Sequence, residues 1–413
     1  MSTVCVHGLG YIGLPTAAML ADHGHEVVGY DPSEAVVDRI RRGDIDPDEP
    51  GLREFVARVL DSENLFVSTS PVPAEYQIIC VPTPITDDEN ADLQYVRAAS
   101  ETVGDLLRVG DTVILESTVP PGTTVDVCRP RLEQDGLTAG ETFSLVYCPE
   151  TVLPGNILHE LKHNDRIVGN VGDQPPTAAI ELYETFVNGA IHTEDATTAE
   201  TAKLAQNAHR DVNIAFANEI AKVCYTHDID ARACIDLANT HPRVDVLNPG
   251  PGVGGHCLPV DPHFLVDKRD ESLIERARTV NESMIEHTIS LLTDISPRLG
   301  DATVAILGVA YKGGVNDTRN SPGLKLAREL QSEWPSIEIR MTDPQVDDQT
   351  LNLVSFEDAV TGADVAVVIT DHDAFTGLEP GAFTTMAEPK LVDTRGILDA
   401  EQFESAGFSF VRI

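Results

Sequence analysis

The chain of 413 residues carries 67 acidic side chains against 29 lysines and arginines, a formal net charge of −38. That balance leaves no clustered cations of the kind phosphate backbones require, so a nucleic-acid partner is excluded. A 42% hydrophobic composition without a long apolar run, and seven scattered cysteines without CxxC spacing, further exclude a membrane span, a disulfide framework and a structural zinc site, and no metal is expected.

The acids are spread along the chain rather than gathered in a tail, only seven residues are lysine, and the first 161 residues contain none. Such self-repulsion is screened within ~3 Å at 1 M salt. We read it as adaptation to a salt-rich cytoplasm of the kind halophilic archaea maintain; an acidic face for a basic partner is the alternative. The opening residues MSTVCVHGLGYIG run into a strand without the charged-then-apolar pattern of a secretory signal, which implies a cytoplasmic location.

In chain order, TVCVHG (3–8) reads as a strand, Tyr11 to His23 as an alanine-rich helix, and EVVGYD (26–31) as a strand ending in Asp31. YQIICVP (76–82) and DTVILEST (111–118) read as buried strands separated by a helix across Leu93–Leu107, and SLVYCPE (144–150) and RIVGN (166–170) continue the series. This alternation predicts a mostly parallel sheet covered on both faces. No proline or glycine occurs from Thr197 to His227, which predicts one helix of about 45 Å. Helices follow across Ala231–Asn239 and about Glu271–Leu292. A second alternating segment comprises strands at TVAILGVAYK (303–312), IEIRMTD (337–343), ADVAVVITD (363–371) and KLVDTRG (390–396), with a helix at Gly323–Trp334. The expected fold class is α/β: two Rossmann-like, doubly wound domains (1–195 and 297–413) joined by a helical central domain (196–296) with a long helix.

Gly8-Leu9-Gly10-Tyr11-Ile12-Gly13 is a GxGxxG sequence that follows a strand, opens a helix and precedes an acid at a strand end, Asp31. In that context it reads as a dinucleotide site: Gly8 makes the tight turn, Gly10 lets a pyrophosphate approach the backbone, and Gly13 packs helix on strand. The helix N-terminus receives the phosphates. Asp31 accepts ribose hydroxyls and repels a 2′-phosphate, which favours NAD over NADP. Thr83 and Thr118 follow two further strand ends, where such sheets bind ligands; ordinary turn chemistry is the alternative there.

Lys203, Asn207 and Arg210 share one face of the long helix. A lysine in largely apolar surroundings can serve as a general acid/base or stabilise an oxyanion, whereas a solvated helix face is the plain alternative. His241-Pro242-Arg243 precedes GPGVGGHCLPVDP (250–262), in which four glycines lead into Cys257. Glycine allows backbone angles and close approaches closed to other residues, so this thiol can meet a substrate; a buried, inert cysteine beside a turn is the alternative. Tyr311-Lys312 ends one strand of the second alternating segment, Arg319 comes after it and Arg395 follows another; these cations suit a diphosphate or carboxylate ligand, with surface ion pairing as the other reading.

Taken together, GLGYIG, VPTP, ESTVPPGTT, CPETVLPG, AETAKLAQNAHRD, GPGVGGHCLPVDP and GVAYKGGVNDTRNSPG, in this order and over essentially the whole length, resemble the UDP-glucose/GDP-mannose dehydrogenase family. The resemblance implies an NAD-dependent four-electron oxidation of the C6 alcohol of a UDP-sugar to a carboxylate, with 1–195 binding NAD, 196–296 serving dimerisation and 297–413 binding the UDP-sugar. It assigns Cys257 as the nucleophile that forms a thiohemiacetal and then a thioester. Lys203 becomes the acid/base, Asp261 the acid that orients water, and Glu150 a participant in hydrolysis. Cofactor contacts fall on Tyr11, Ile12, Asp31, Thr83, Thr118 and Arg319. Substrate contacts fall on Thr151, Val152, Asn207, Arg210, His241, Arg243, Gly254, Tyr311, Lys312 and Arg395. A homodimer or higher homo-oligomer is implied, with no membrane partner. Segments 148–170 and 241–264 look most like the branch acting on UDP-N-acetyl-D-mannosamine. Two positions are informative: Thr151 stands where that branch usually has an arginine, and Val260 where the glucose branch usually has a lysine.

Overall fold

The computed structural model describes residues 1–45, 49–266 and 272–413. These form two compact units, one of Met1–Gln206 with His263–Leu265 and one of Asn207–Pro262 with Val266–Ile413.

The first unit contains β1 (Thr3–His7), β2 (Glu26–Tyr30), β3 (Leu65–Ser68), β4 (Tyr76–Ile79), β5 (Thr112–Leu115), β6 (Ser144–Tyr147), β7 (Arg166–Asn170) and β8 (Ile191–Asp195). They form one sheet in the order β3-β2-β1-β4-β5-β6-β7-β8. The first six follow the doubly wound order, with the reversal between β1 and β4. β7 joins β6 antiparallel, Val146 facing Asn170, and β8 runs parallel to β7. β5 is buried at every position because helices cover both faces, which is why it reads as a continuous apolar run rather than an alternating one.

The second unit contains β9 (Thr303–Leu307), β10 (Glu338–Thr342), β11 (Val365–Val368), β12 (Lys390–Asp393) and β13 (Ser409–Arg412), in the order β10-β9-β11-β12-β13 and all parallel. The long helix, Ala196–Thr226, belongs to the first unit up to Gln206 and to the second from Asn207. The helix Ala231–Asn239 begins at Asp230, whose carboxylate accepts the Arg232 and Ala233 N–H groups, as a capping acid should.

Several expected elements are shorter or divided. The helix expected across Glu271–Leu292 is two, Leu273–Glu282 and Met284–Ile295; the expected start at Glu271 lies outside the described residues. Ser283 divides them: its hydroxyl donates to the Val280 carbonyl at 2.7 Å and accepts from Lys222 at 2.7 Å, a side-chain competitor for the helical backbone. The strand expected over 303–312 ends at Leu307, because Gly308 turns the chain at φ +104°. The first helix begins at Gly13 rather than Tyr11, since residues 8–12 form the turn. β3, β8 and β13 are not expected from the sequence: each includes exposed residues and lacks the continuous buried apolar run that marks a strand such as β5. Among the described residues, no helix is long and apolar enough to cross a membrane.

Candidate active site

The glycines at the end of β1 do three different things. Gly8 turns at φ +97°, and a Cβ there would sit 2.5 Å from the Cys80 carbonyl oxygen. A Cβ on Gly13 would lie 1.9 Å from the Gly8 carbonyl oxygen, so no side chain fits between turn and helix. Gly10 would meet nothing within 4 Å, which leaves its backbone open to a ligand. The following helix, Gly13–Asp22, has no side-chain cap at its N-cap residue Ile12, so its first N–H groups suit phosphate oxygens. Asp31 takes the Leu9 N–H at 3.1 Å on one oxygen and the Ser33 N–H at 2.9 Å on the other, and the remaining lone pairs can accept ribose hydroxyls. Thr83 donates to the Thr118 carbonyl at 2.6 Å, and Ser117 bonds Val81 at both its N–H and its carbonyl. The loops after β4 and β5 are thus stitched together beside this turn. The residues fit a dinucleotide.

Beneath the ends of β4, β5 and β6 lies a buried polar cluster. Glu150 pairs with Arg166 at 2.8 Å, and the Arg166 guanidinium stacks 4.9 Å from the Tyr183 ring centroid. Glu116 accepts hydrogen bonds from Cys80 at 2.9 Å, from Thr16 at 3.5 Å and from Tyr183. Burial raises the Glu116 carboxyl above its ordinary value; the Arg166 charge opposes that, and Glu150 adds to it. Burial likewise pushes the Cys148 thiol up to about 12, so this cysteine is inert. On the long helix, buried Glu200 receives the Gly122 and Thr124 N–H groups at 2.5 and 2.7 Å. It thereby fixes the loop that begins at Thr118, one helical turn before Lys203.

In the second unit the glycine loop is built around Cys257, which is exposed, whereas Cys5, Cys128, Cys148 and Cys224 are buried. Its carbonyl accepts the Asp261 N–H at 2.8 Å, closing a turn between the two residues. The buried Asp261 carboxylate takes the Asn207 amide at 2.5 Å. Two clamps hold the loop. On one side, the Gly255 N–H donates to the Arg319 carbonyl at 2.8 Å, the Asn320 amide donates to the Gly255 carbonyl at 2.8 Å, and a Cβ on Gly254 would lie 2.7 Å from the Tyr311 Cβ. On the other side, the Gly250 N–H donates to Asn218 at 2.9 Å. Asn218 bonds Asn281, and Asn281 and Arg278 both donate to fully buried Asp211.

The second unit reuses the geometry of the first turn with an insertion. Gly308 turns at φ +104°, and a Cβ on Gly323 would meet the Gly308 carbonyl oxygen at 2.4 Å, as Gly13 meets Gly8. The spacing is 15 residues (323 − 308) instead of 5 (13 − 8), and the added segment carries Tyr311, Lys312 and Arg319. Asp343, at the end of β10, stands where Asp31 stands at the end of β2. Its two oxygens take the N–H groups of Val309, Ala310, Gln345 and Val346 as well as His372. A carboxylate has about four acceptor positions, so Asp343 has none left for a ribose, and this turn is not a second copy of the dinucleotide site. The Arg395 Nε donates to the Ile369 carbonyl at 2.8 Å, and a Cβ on Gly250 would lie 3.2 Å from its Nη1. Arg319 forms a forked pair with Asp317. That pairing raises the arginine, and it holds the Asp317 carboxyl below its ordinary value although burial opposes it.

The first unit therefore holds Gly8, Gly10, Tyr11, Ile12, Gly13, Asp31, Thr83, Thr118, Glu150, Thr151, Val152 and Lys203. The second holds Asn207, Arg210, His241, Arg243, Gly254, Cys257, Asp261, Tyr311, Lys312, Arg319 and Arg395. Within the second, Gly254, Cys257, Asp261, Asn207, Tyr311, Arg319 and Arg395 converge on one loop. Arg210, His241 and Arg243 are exposed; the Arg243 N–H donates to His241 Nδ1 at 3.3 Å. Sequence reasoning missed Glu116, Arg166, Glu200 and Asp211. Glu200 and Asp211 have a visible signal, an acid within the alanine-rich long helix, and Glu116 has one directly after the apolar run of β5; Arg166, the first residue of β7, has none. Among the described residues, no group of three or more His, Cys, Asp or Glu side chains is placed to hold a metal.

A doubly wound sheet with this glycine turn, uncapped helix and strand-end acid defines an NAD-dependent dehydrogenase. Family models place the protein further. Residues 2–187 match the NAD binding domain, 197–283 the central domain and 305–400 the UDP binding domain of the UDP-glucose/GDP-mannose dehydrogenase family, and the chain belongs to that family. It is 42% identical to the UDP-N-acetyl-D-mannosamine dehydrogenase of Methanocaldococcus jannaschii over 98% of this chain and 95% of that one. The solved UDP-D-ManNAc dehydrogenase of Pyrococcus horikoshii superposes with a TM-score of 0.92 at 40% identity, covering 100% of this chain and 99% of that one. The UDP-N-acetyl-mannosamine dehydrogenase Cap5O of Staphylococcus aureus gives 0.89 at 39% identity, with 100% and 98% covered.

Proposed function

We propose that the protein oxidises UDP-N-acetyl-D-mannosamine at C6 to UDP-N-acetyl-D-mannosaminuronate with two equivalents of NAD+. Bound NAD+ supplies the hydride acceptor for each oxidation. The C6 alcohol gives up a hydride and a proton to become an aldehyde. The Cys257 thiol adds to that carbonyl to give a thiohemiacetal, and loss of a second hydride and proton gives a thioester. Water then cleaves the thioester, releasing the carboxylic acid and restoring the thiol. A bound thioester cannot diffuse away as free aldehyde would. Lys203 serves as acid/base and oxyanion partner, Asp261 held by Asn207 orients the water with it, and Glu150 assists hydrolysis. Gly8, Gly10, Tyr11, Ile12, Gly13, Asp31, Thr83, Thr118 and Arg319 bind the cofactor. Residues Thr151, Val152, Arg210, His241, Arg243, Gly254, Tyr311, Lys312 and Arg395 contact the UDP-sugar.

The observation that carries this reading is the exposed Cys257 on a doubly clamped glycine loop, one hydrogen-bonded turn before the buried Asp261 carboxylate that Asn207 holds. The choice of sugar is supported by the similarity to the UDP-N-acetyl-D-mannosamine dehydrogenases of Methanocaldococcus jannaschii, Pyrococcus horikoshii and Staphylococcus aureus. We further place the protein in the cytoplasm, as a homodimer or higher homo-oligomer assembled through 196–296, supplying the uronate to surface polysaccharide synthesis. The functional regions proposed are 1–195 for NAD, 196–296 for assembly and 297–413 for the UDP-sugar.

The test is NADH formation by purified protein with a panel of UDP-sugars. Turnover is expected with UDP-N-acetyl-D-mannosamine. Fast turnover of UDP-glucose or UDP-N-acetylglucosamine with none of the mannosamine compound would give the second reading, the same chemistry on another sugar. Thr151, in place of the arginine usual in the mannosamine branch, is the residue favouring that alternative.

A further inference from the structure

Glu49 lies outside every motif quoted above, yet it is 3% exposed and joins two of them. Its Oε1 accepts the Tyr11 hydroxyl and the Gly155 N–H, the latter at 2.7 Å, and its Oε2 accepts the Ile157 N–H at 3.2 Å. Tyr11 belongs to the turn whose backbone is open at Gly10. Gly155 and Ile157 end the loop that begins at Glu150, and Gly155 turns there at φ +93° with nothing within 4 Å of a would-be Cβ. At that corner the hydrogen bond to Glu49 holds the Gly155 backbone, while the Ile157 side chain beside it is packed in the core.

A buried carboxylate with donors drawn from two separate segments resists the loss of any one of them, because an unmet acceptor or charge in such a place costs more than the bond itself contributes. Movement of Tyr11 thus becomes movement of Glu49 and, through it, of the loop. We propose that Glu49 is a positioning residue that couples occupancy of the cofactor turn to the ordering of the Glu150–Ile157 loop. The consequence for the sugar rests on the function proposed above, in which this loop carries Glu150, Thr151 and Val152; the coupling itself does not need the sugar. Because coupling between two sites is reciprocal, a ligand on this loop would tighten dinucleotide binding by the same factor.

Hydrogen exchange of the full chain, with and without saturating NADH, tests this. In the wild type, NADH is expected to slow exchange in peptides covering 8–14 and, by roughly fivefold or more, in peptides covering 151–160. In Tyr11→Phe, which removes the hydroxyl, the NADH-dependent slowing at 151–160 should disappear even at NADH concentrations raised until that variant is saturated, whatever its affinity. Glu49→Leu, which removes both acceptor oxygens, should give the same loss from the other end of the bond. A merely structural role would raise exchange at 151–160 in both states equally and leave the NADH-dependent increment intact. Equal increments in the wild type and Tyr11→Phe, or no increment at 151–160 in the wild type, overturn the proposal. Protection at 8–14 in the same spectra shows separately whether the cofactor site itself has been read correctly. Should Glu49→Leu fold poorly, as its thermal unfolding would reveal, Tyr11→Phe decides the question alone.

Discussion

The guanidinium of Arg166 sits 2.8 Å from the carboxylate of Glu150, with side-chain exposures of 2% and 5%. Such a pair gains little over an apolar replacement of both partners, but removing one of them leaves an uncompensated buried charge. Arg166→Met is therefore expected to cost about 3–5 kcal/mol, read by denaturant unfolding. Arg166→Lys keeps the charge, loses the stacking on Tyr183, and should cost less. Wild-type stability in Arg166→Met would contradict this account of the pair.

The glycines of the first turn separate folding from binding. Gly13→Ala places a methyl 1.9 Å from the Gly8 carbonyl oxygen, an overpacking against backbone that typically costs about 1–3 kcal/mol, and it should lower both the melting temperature and NADH affinity. Gly10→Ala meets nothing within 4 Å. It should melt like the wild type yet bind NADH at least tenfold more weakly, as fluorescence titration would reveal. Equal NADH affinity in Gly10→Ala would place the phosphates elsewhere.

Two buried carboxylates give opposite pH dependences. Burial raises Glu116, which faces Thr16, Cys80, Tyr183, Arg166 and Glu150. Its contribution is complete below the unfolded carboxyl value and is lost as pH rises through the higher folded value. Asp343 is lowered: burial opposes the shift, but His372 and the backbone N–H groups outweigh it. Its contribution is present above the unfolded value and is lost as pH falls through the lower folded one. Melting temperatures measured across the acid-to-neutral range should show Glu116→Gln gaining on the wild type as pH rises. Asp343→Asn should lose its disadvantage as pH falls. Parallel curves for wild type and variant would refute the assigned directions.

A net charge of −38 predicts that folding and turnover both improve in molar KCl, where repulsion is screened within ~3 Å. Thermal unfolding and initial rates from dilute buffer to molar salt measure this. Full stability in dilute buffer would contradict it.

Much of the fold was legible because it lies in local patterns. The apolar runs at Val4–Val6 and Val113–Leu115 mark central parallel strands, and the stretch without proline or glycine marks Ala196–Thr226 to within a residue. The three roles read for Gly8, Gly10 and Gly13 match the space around each. What stayed hidden depends on residues distant in sequence. Arg166 matters because β7 turns back beside β6, which no local period announces, and Ser283 divides a helix through a bond to Lys222. Asp343 reads like a second Asp31 until its four backbone donors and His372 are counted. For Cys257, the glycines announced a loop, but only the fold shows that Asn218 and Asn320 pin it from two sides.

The central claim is that Cys257 holds the aldehyde between the two oxidations, and it is tested most directly by the NADH formed per UDP-N-acetyl-D-mannosamine consumed in Cys257→Ser. The wild type should give two NADH and the uronate. The variant should lose that double oxidation, and two NADH per sugar in Cys257→Ser would contradict the account.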